Sequence, residues 1–247
     1  IDALLPQDLE KIINDNKLVE MAENEDYVHI TTKNLMFNMS GPTSVDTFFS
    51  DANGNNTYLR PELAQGIIVN LNKYLQSTNY LMPIGLAQVG KSYRNEISTK
   101  QFTRLREFTQ AELEYFVDPE KKSDPSILKG LNLSNLIPVF NNNDDGFTNK
   151  SLQELLDAKL VKSYTMLSFI SKIHKFALVI GLKNIRFRKH EDNEIAHYAI
   201  ECWDLESKID DNWLEVIGCA DRGIWDCSVH SEVEKIVCKR VLDKPKI

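Results

Sequence analysis

Between Leu105 and Val117 the chain alternates. Arg106, Phe108, Gln110, Glu112, Glu114 and Phe116 fall on one side of an extended segment, and Leu105, Thr109, Ala111, Leu113, Tyr115 and Val117 fall on the other. A period of two belongs to a strand, because successive side chains point to opposite faces. Upstream, Ser92, Arg94, Glu96 and Ser98 alternate with Tyr93, Asn95 and Ile97, and a polar loop separates the two runs. The stretch Gly90 to Pro119 therefore predicts an antiparallel hairpin. One of its faces carries arginines, carboxylates and an aromatic ring. A guanidinium fork suits a phosphate, a ring can stack on a base, and a carboxylate can hold an ammonium. Phe108 and Glu112 would lie about 13 Å apart at about 3.3 Å per residue, so they would meet different parts of one extended ligand. A salt-bridged solvent face is the alternative on pattern alone.

The rest of the chain supplies helices and further strands around this hairpin. Asp8 to Leu18 reads as a short amphipathic helix, and Asp51 to Thr57 as a turn. Pro61 and Glu62 open a helix that carries Leu63, Ala64, Ile67, Ile68, Leu71 and Leu75 at helical spacing, with Glu62 in the first turn, where it favours the dipole. Leu81 to Val89 reads as a buried strand that feeds the hairpin. Glu120 to Lys150 is rich in Asn, Asp, Lys and Ser and predicts irregular structure. Ser151 and Glu154 fit a capping box ahead of a short helix. A second helix follows, with Leu167, Ile170, Ile173, Phe176 and Ala177 on its stripe and Gly181 placed to end it. Ile185 and Phe187 alternate with Arg186, Arg188 and His190. Tyr198 to Asp204 and Trp213 to Cys219 predict two more strands, and a polar turn follows between Gly218 and Gly223.

Composition narrows the function. A formal net charge of −7 gives no global field to draw in a polyanion, so a nucleic-acid contact needs a local basic strip. The densest such strip is Arg186, Arg188 and Lys189. No run approaches the ~20 apolar residues of a membrane span, and the start is not a signal peptide. The 4 cysteines, Cys202, Cys219, Cys227 and Cys238, lack a CxxC pair and read as reduced thiols of a cytosolic protein. The chain begins without Met and ends on KPKI, and we expect it to be a piece of something longer.

Two short motifs fail their context tests. Gly85 to Ser92, GLAQVGKS, fits the phosphate-loop pattern, but that mechanism needs a glycine-rich loop running into a helix, and the residues here read as strand. His190-Glu191 and His197 resemble a zinc-protease signature with the wrong spacing. Cys219, Cys227 and His230 have no metal-ligand spacing.

Longer stretches carry a resemblance. YLRPELAQGIIVN, GLAQVGKSYRNEIS and LREFTQAELEYFVDP, followed by IRFRKHEDNEIAHYAIECWD and WLEVIGCADRGIWDCSVH, are similar to the eukaryotic and archaeal type of glycyl-tRNA synthetase, a class II aminoacyl-tRNA synthetase. The resemblance covers Leu35–Pro119 and Arg186–His230 in collinear order. It implies an α+β fold, an antiparallel sheet flanked by helices, in a cytoplasmic homodimeric ligase that joins glycine to tRNA(Gly) through an adenylate made from ATP with Mg2+.

Residue by residue, the resemblance makes Arg94, Asn95 and Glu96 nucleotide contacts, with Arg94 the catalytic guanidinium at the α-phosphate. Arg104 and Leu105 belong to the loop over ATP, and Phe108 stacks on adenine. Glu215 and Val216 resemble a later nucleotide-contacting pair, with Glu215 a magnesium ligand. Glu62 and Glu112 match glycine-binding carboxylates. By charge rather than by resemblance, the strip Arg186, Arg188 and Lys189 is expected near the tRNA acceptor end, with a solvated strand face as the alternative.

The resemblance also sets expectations for organisation. Residues 1–119 would be the first part of the catalytic core, 120–182 a largely helical insertion, and 183–247 the later strands. The loop between Ile97 and Arg104 is one residue shorter than the family's and lacks its glycine. The first class II motif would precede Ile1, and the third motif and the anticodon-binding domain would follow Ile247. This piece alone would then be poorly active or inactive. A non-catalytic module of the same fold and a phosphate-loop nucleotidase using Lys91 are the other classes left open.

Overall fold

The structure, a computed structural model, describes residues 59–79, 82–94, 96, 99–100, 103–141, 146–196, 198–209 and 211–233, together with Lys11 and Asp15. Both of the latter are helical. The rest of the expected helix from Asp8 to Leu18, the turn at Asp51 to Thr57, Asn95, Ile97, Ser98, His197 and Cys238 lie outside the described residues. The chain forms two compact units, one from Ile1–Phe116 with Val229–Ile247 and one from Val117–Ser228.

In the first unit, strands β1 (Ile84–Tyr93) and β2 (Glu107–Phe116) pair antiparallel from Ile84 opposite Phe116 to Tyr93 opposite Glu107. The expected hairpin is there, but its first strand lies earlier than the alternation from Ser92 to Ser98 implied. The segment Leu81 to Val89 does not feed a second strand; most of it is the same strand. The Arg94 amide donates to the Arg106 carbonyl at 2.9 Å, which closes the pairing and leaves Glu96 in the loop.

Two short helices, α1 (Ala64–Val69) and α2 (Leu71–Ser77), replace the single helix expected from Pro61 onward. The break falls at Asn70, whose side-chain amide turns back onto the Gly66 carbonyl at 2.8 Å and competes with the helical ladder. No acidic residue occupies the first turn, so Glu62 stands before the helix rather than within it. Leu63, Ala64, Ile67, Ile68, Leu71 and Leu75 are all buried. The even-numbered, polar face of the hairpin is the more covered one. Its odd-numbered face is open, with Val89 71% and Leu113 55% exposed.

The second unit is a five-stranded sheet in the order β4-β3-β5-β6-β7, built from β3 (Leu136–Phe140), β4 (Phe147–Ser151), β5 (Ile185–Lys189), β6 (Glu201–Ile209) and β7 (Asn212–Asp221). All its pairings are antiparallel except β3 with β5. The β3–β4 hairpin corrects the expectation of irregular structure through Lys150. It joins the same sheet as the later strands, after two 3-10 turns at Pro119–Lys121 and Pro125–Gly130.

Helices α3 (Leu152–Asp157) and α4 (Tyr164–Val179) pack on one face of this sheet. The expected capping box is present, with Ser151 and Glu154 bonded reciprocally. Gly181, at φ +95°, follows the end of α4, a backbone state open to glycine at little cost. Leu152, Leu155, Leu167 and Ile170 meet Ile137, Phe187, Trp203 and Leu205 in a core where each is no more than 1% exposed. At about 1.5–3 kcal/mol for each large side chain buried, this core outweighs any single polar contact in the unit. Glu201 lies inside it fully buried. One of its oxygens accepts from Trp203 Nε1 at 2.7 Å and the other from the Lys162 amide at 2.9 Å, which satisfies the carboxylate. The final helix, α5 (Trp225–Val233), follows β7.

Candidate active site

The segment Arg60–Leu63 lies across the hairpin. The Arg60 carbonyl accepts from the Tyr93 amide at 2.9 Å, and Arg60 Nε donates to the Lys91 carbonyl at 2.7 Å. Arg94 Nε donates to the Pro61 carbonyl at 3.3 Å. The Leu63 amide donates to Glu112 Oε2 at 2.9 Å. Glu62 is therefore flanked in the chain by one residue held by Arg94 and another held by Glu112. The helix start that its own sequence leaves without a side-chain cap is met by a carboxylate from β2, favourably placed for the helix dipole.

The Arg94 guanidinium lies 5.4 Å from the centre of the Phe108 ring. A cation and an aromatic face thus stand together on the exposed rim, while Glu112 is half-buried further along the same strand face. Glu96 lies 3.9 Å from Arg104, and its carbonyl accepts from Arg106 Nε at 3.2 Å. Leu105 is exposed in the same loop. Glu62 Oε1 accepts from Gln65 at 3.1 Å, and Gln65 Oε1 lies 2.7 Å from His230 Nε2.

Sequence reading missed Arg60 and Gln65, and weighed His230 only as a metal ligand. The available signal for Arg60 was Gly90. A Cβ there would stand 2.5 Å from the Arg60 guanidinium, so a bare backbone lets that side chain cross β1.

Lys91 projects from the open face of β1 and pairs with Glu107 at 3.0 Å. All of Gly85 to Ser92 is strand, so its amides cannot converge on a phosphate, and the phosphate-loop alternative fails.

In the second unit Glu215 and Val216 are adjacent and both exposed. The register of β7 slips between Leu205 and Glu206, and Val216 is the extra residue of a β-bulge, a feature common beside active sites. Glu215 supplies a hard carboxylate oxygen on an open strand face, the donor type magnesium takes alongside phosphate oxygens. Glu215 would give such an ion one protein oxygen, with the other positions left to phosphate and water.

The basic strip is committed to neighbours. Arg186 is buried and pairs with Glu206 at 2.6 Å. Arg188 meets both oxygens of Glu194, at 2.9 and 3.0 Å, and Lys189 Nζ donates to the Leu160 carbonyl at 2.8 Å. The hydrogen bond from the Glu191 amide, and then that from Arg188, hold the Glu194 carboxyl below its usual range.

His190, Cys202 and Asp204 cluster on the same face. His190 Nε2 lies 2.6 Å from Asp204, and its Nδ1 is buried without a partner among the described residues. Arg188 stands 3.9 Å from Asp204, and burial, with Asp204 and Glu215 nearby, pushes the Cys202 thiol up to about 12. An adjacent guanidinium and a protonated thiol suit a hydrogen-bonded pair better than a metal. Cys219 packs toward the core and contacts Met166 at 3.5 Å.

Residues 47–134 match the family model of the tRNA synthetase class II core domain (G, H, P, S and T). The chain belongs to the class II aminoacyl-tRNA synthetases. Within that class it is related to the glycine–tRNA ligases of eukaryotes and archaea. It is 43% identical over 198 residues to the mitochondrial glycine–tRNA ligase 1 of Saccharomyces cerevisiae, an alignment covering 76% of this chain and 28% of the relative. It is 36% identical to the glycine–tRNA ligase of Drosophila melanogaster, with 100% of this chain and 32% of the relative covered. For the glycine–tRNA ligase of Methanothermobacter thermautotrophicus the identity is 37%, with 94% and 41% covered. The chain thus spans well under half the length of these relatives.

Proposed function

We propose that this chain is part of the catalytic core of a glycine–tRNA ligase. The observation that carries the reading is the crossing of Arg60–Leu63 over the hairpin, with Arg94 and Phe108 at one end and Glu112 at the other. In the proposed reaction a glycine carboxylate oxygen attacks the α-phosphorus of ATP and pyrophosphate leaves. The terminal ribose hydroxyl of tRNA(Gly) then attacks the glycyl carbonyl, and AMP leaves.

Arg94 places its guanidinium where charge gathers on the α-phosphate. Phe108 offers a face to adenine, and Asn95, Glu96, Arg104, Leu105 and Val216 complete the nucleotide contacts. Glu62 and Glu112 hold the ammonium, which is costly to bury unpaired. A small pocket around glycine would leave no room for a side chain on Cα, so larger amino acids would be rejected by size. Magnesium, held by Glu215, would offset triphosphate charge. Most of the rate then comes from positioning and electrostatics rather than from covalent help by the protein.

The enzyme is proposed to act in the cytoplasm as a homodimer, although one relative carries a mitochondrial name. No helix among the described residues is long and apolar enough to cross a membrane. The proposed organisation remains 120–182 as an insertion between core segments 1–119 and 183–247, with β3 and β4 of that segment sharing a sheet with β5, β6 and β7. A tRNA contact from the basic strip would have to come from Arg188 or Lys189, since Arg186 is buried against Glu206.

Glycine-dependent exchange of labelled pyrophosphate into ATP, measured on the intact protein, tests the reading. Exchange that requires glycine and no other amino acid is the expected result. Binding of ATP and glycine without exchange would instead mark a non-catalytic module.

A further inference from the structure

Glu215 stands directly across from another carboxylate. In the register of β6 and β7 its partner is Glu206, beside the bulge at Val216. Like charges in directly opposed positions repel. Glu206 does not face Glu215 uncompensated. Arg186 Nε donates to Glu206 Oε2 at 2.6 Å, and Arg188 Nε lies 3.6 Å from Oε1.

Arg186 is itself held from several directions. Its Nη1 donates to the Gly146 carbonyl at 3.1 Å, and its guanidinium lies 4.1 Å from the Trp213 ring centre and 4.7 Å from that of Phe140. Trp213 precedes Glu215 by two residues on β7 and shares its strand face. One buried side chain thus grips both strands at the bulge: β6 through a charge and β7 through a ring.

We infer that Arg186 is a positioning residue for the Glu215–Val216 pair. It neutralises Glu206, so the Glu215 carboxylate keeps its place for magnesium and ATP. This rests on the reading of Glu215 and Val216 as nucleotide contacts. It also moves Arg186 from the tRNA strip to the support of the nucleotide site, which it need not touch.

The test is calorimetric titration of the intact protein with ATP in the presence of magnesium, and separately with glycine, with thermal melting to check folding. Arg186→Gln weakens ATP binding by about tenfold, the scale seen when a residue supporting a metal ligand is lost, and leaves glycine binding unchanged. Adding Glu206→Gln removes the stranded carboxylate. The double variant therefore binds ATP within about threefold of the original, a coupling that a merely structural role would not produce.

If Arg186→Gln does not fold, the double variant carries the test. A folded double variant still tenfold weaker overturns the proposal. So does equal loss of ATP and glycine binding in the single variant without recovery in the double. If Arg186→Gln binds ATP normally while Glu215→Gln does not, the proposal falls and the reading of Glu215 stands. If Glu215→Gln also binds ATP normally, both fall.

Discussion

The Leu63 amide and the Glu112 carboxylate, 2.9 Å apart, tie the start of α1 to the middle of β2. That bond brings the residue that follows Glu62 onto Glu112, although the two stretches of chain are distant in sequence. Changing Glu112 to Gln keeps an oxygen to accept from Leu63 and removes the charge. In pyrophosphate exchange it is expected to raise the glycine requirement about 10–100-fold and to change the ATP requirement little. Glu114→Gln, on the same strand face, is the control and should move neither by more than about twofold. Equal effects from the two variants would remove Glu112 from the glycine site.

Arg94 and Lys91 make opposite forecasts. Arg94 sits at Pro61 and Phe108, whereas Lys91 pairs with Glu107 on the open face. Arg94→Ala should cut ATP-dependent exchange by two orders of magnitude or more, roughly the cost of losing a charged donor to a transition state. Lys91→Ala should leave ATP binding intact, since exposed ion pairs contribute only about 0–1 kcal/mol. ATP titrations showing the reverse order would restore a phosphate-loop role for Lys91.

The thiols of Cys202 and Cys219 should resist alkylation. Burial is the main cause that pushes each up to about 12, so at pH 8 almost none is thiolate. Mass spectrometry after iodoacetamide treatment should find both unmodified in the native protein and both modified after denaturation. Fast native labelling at either position would contradict its burial.

His174, half-buried against Phe187, carries a pH effect of definite sign. Burial lowers its pKa below the ordinary 6.5, so folding favours the neutral ring. The unfolded chain takes up a proton first as pH falls. The contribution is fully present above about pH 6.5 and is lost progressively between that value and the lower folded one. Denaturant melts at a series of pH values should show this slope, and His174→Asn should flatten it. An unchanged slope in the variant would assign it to other groups.

Local pattern made much of the fold legible. The alternation of β2 and β5, the Ser151–Glu154 box and the end of α4 at Gly181 are each written within a few neighbouring residues. The β3–β4 hairpin was hidden because Asn and Lys dominate β4 and Pro138 interrupts β3, residues that argue against strands on propensity alone. The break at Asn70 was hidden because the apolar spacing runs through it unchanged. In the site, residue types pointed to phosphate, base and ammonium. The crossing segment was not legible, because the Leu63–Glu112 bond joins residues 49 positions apart. The service of Arg186 to Glu206 was likewise invisible: a basic strip looks the same in sequence whether its partners are a polyanion or the adjoining strand.

The division at Asn70 has a consequence for how this region opens. Helices of six and seven residues are below the length that holds in water unaided, so each half takes its order from what lies beneath it. α1 has Ala64, Ile67 and Ile68 buried and its leading amide secured by another strand. α2 has Leu71 and Leu75. Amide hydrogen exchange should therefore fall into two tiers, with α2 exchanging ahead of α1. Asn70 then acts as a crack-stopper: fraying that begins at Ser77 halts there, and the two carboxylates proposed to hold glycine sit on the sheltered side.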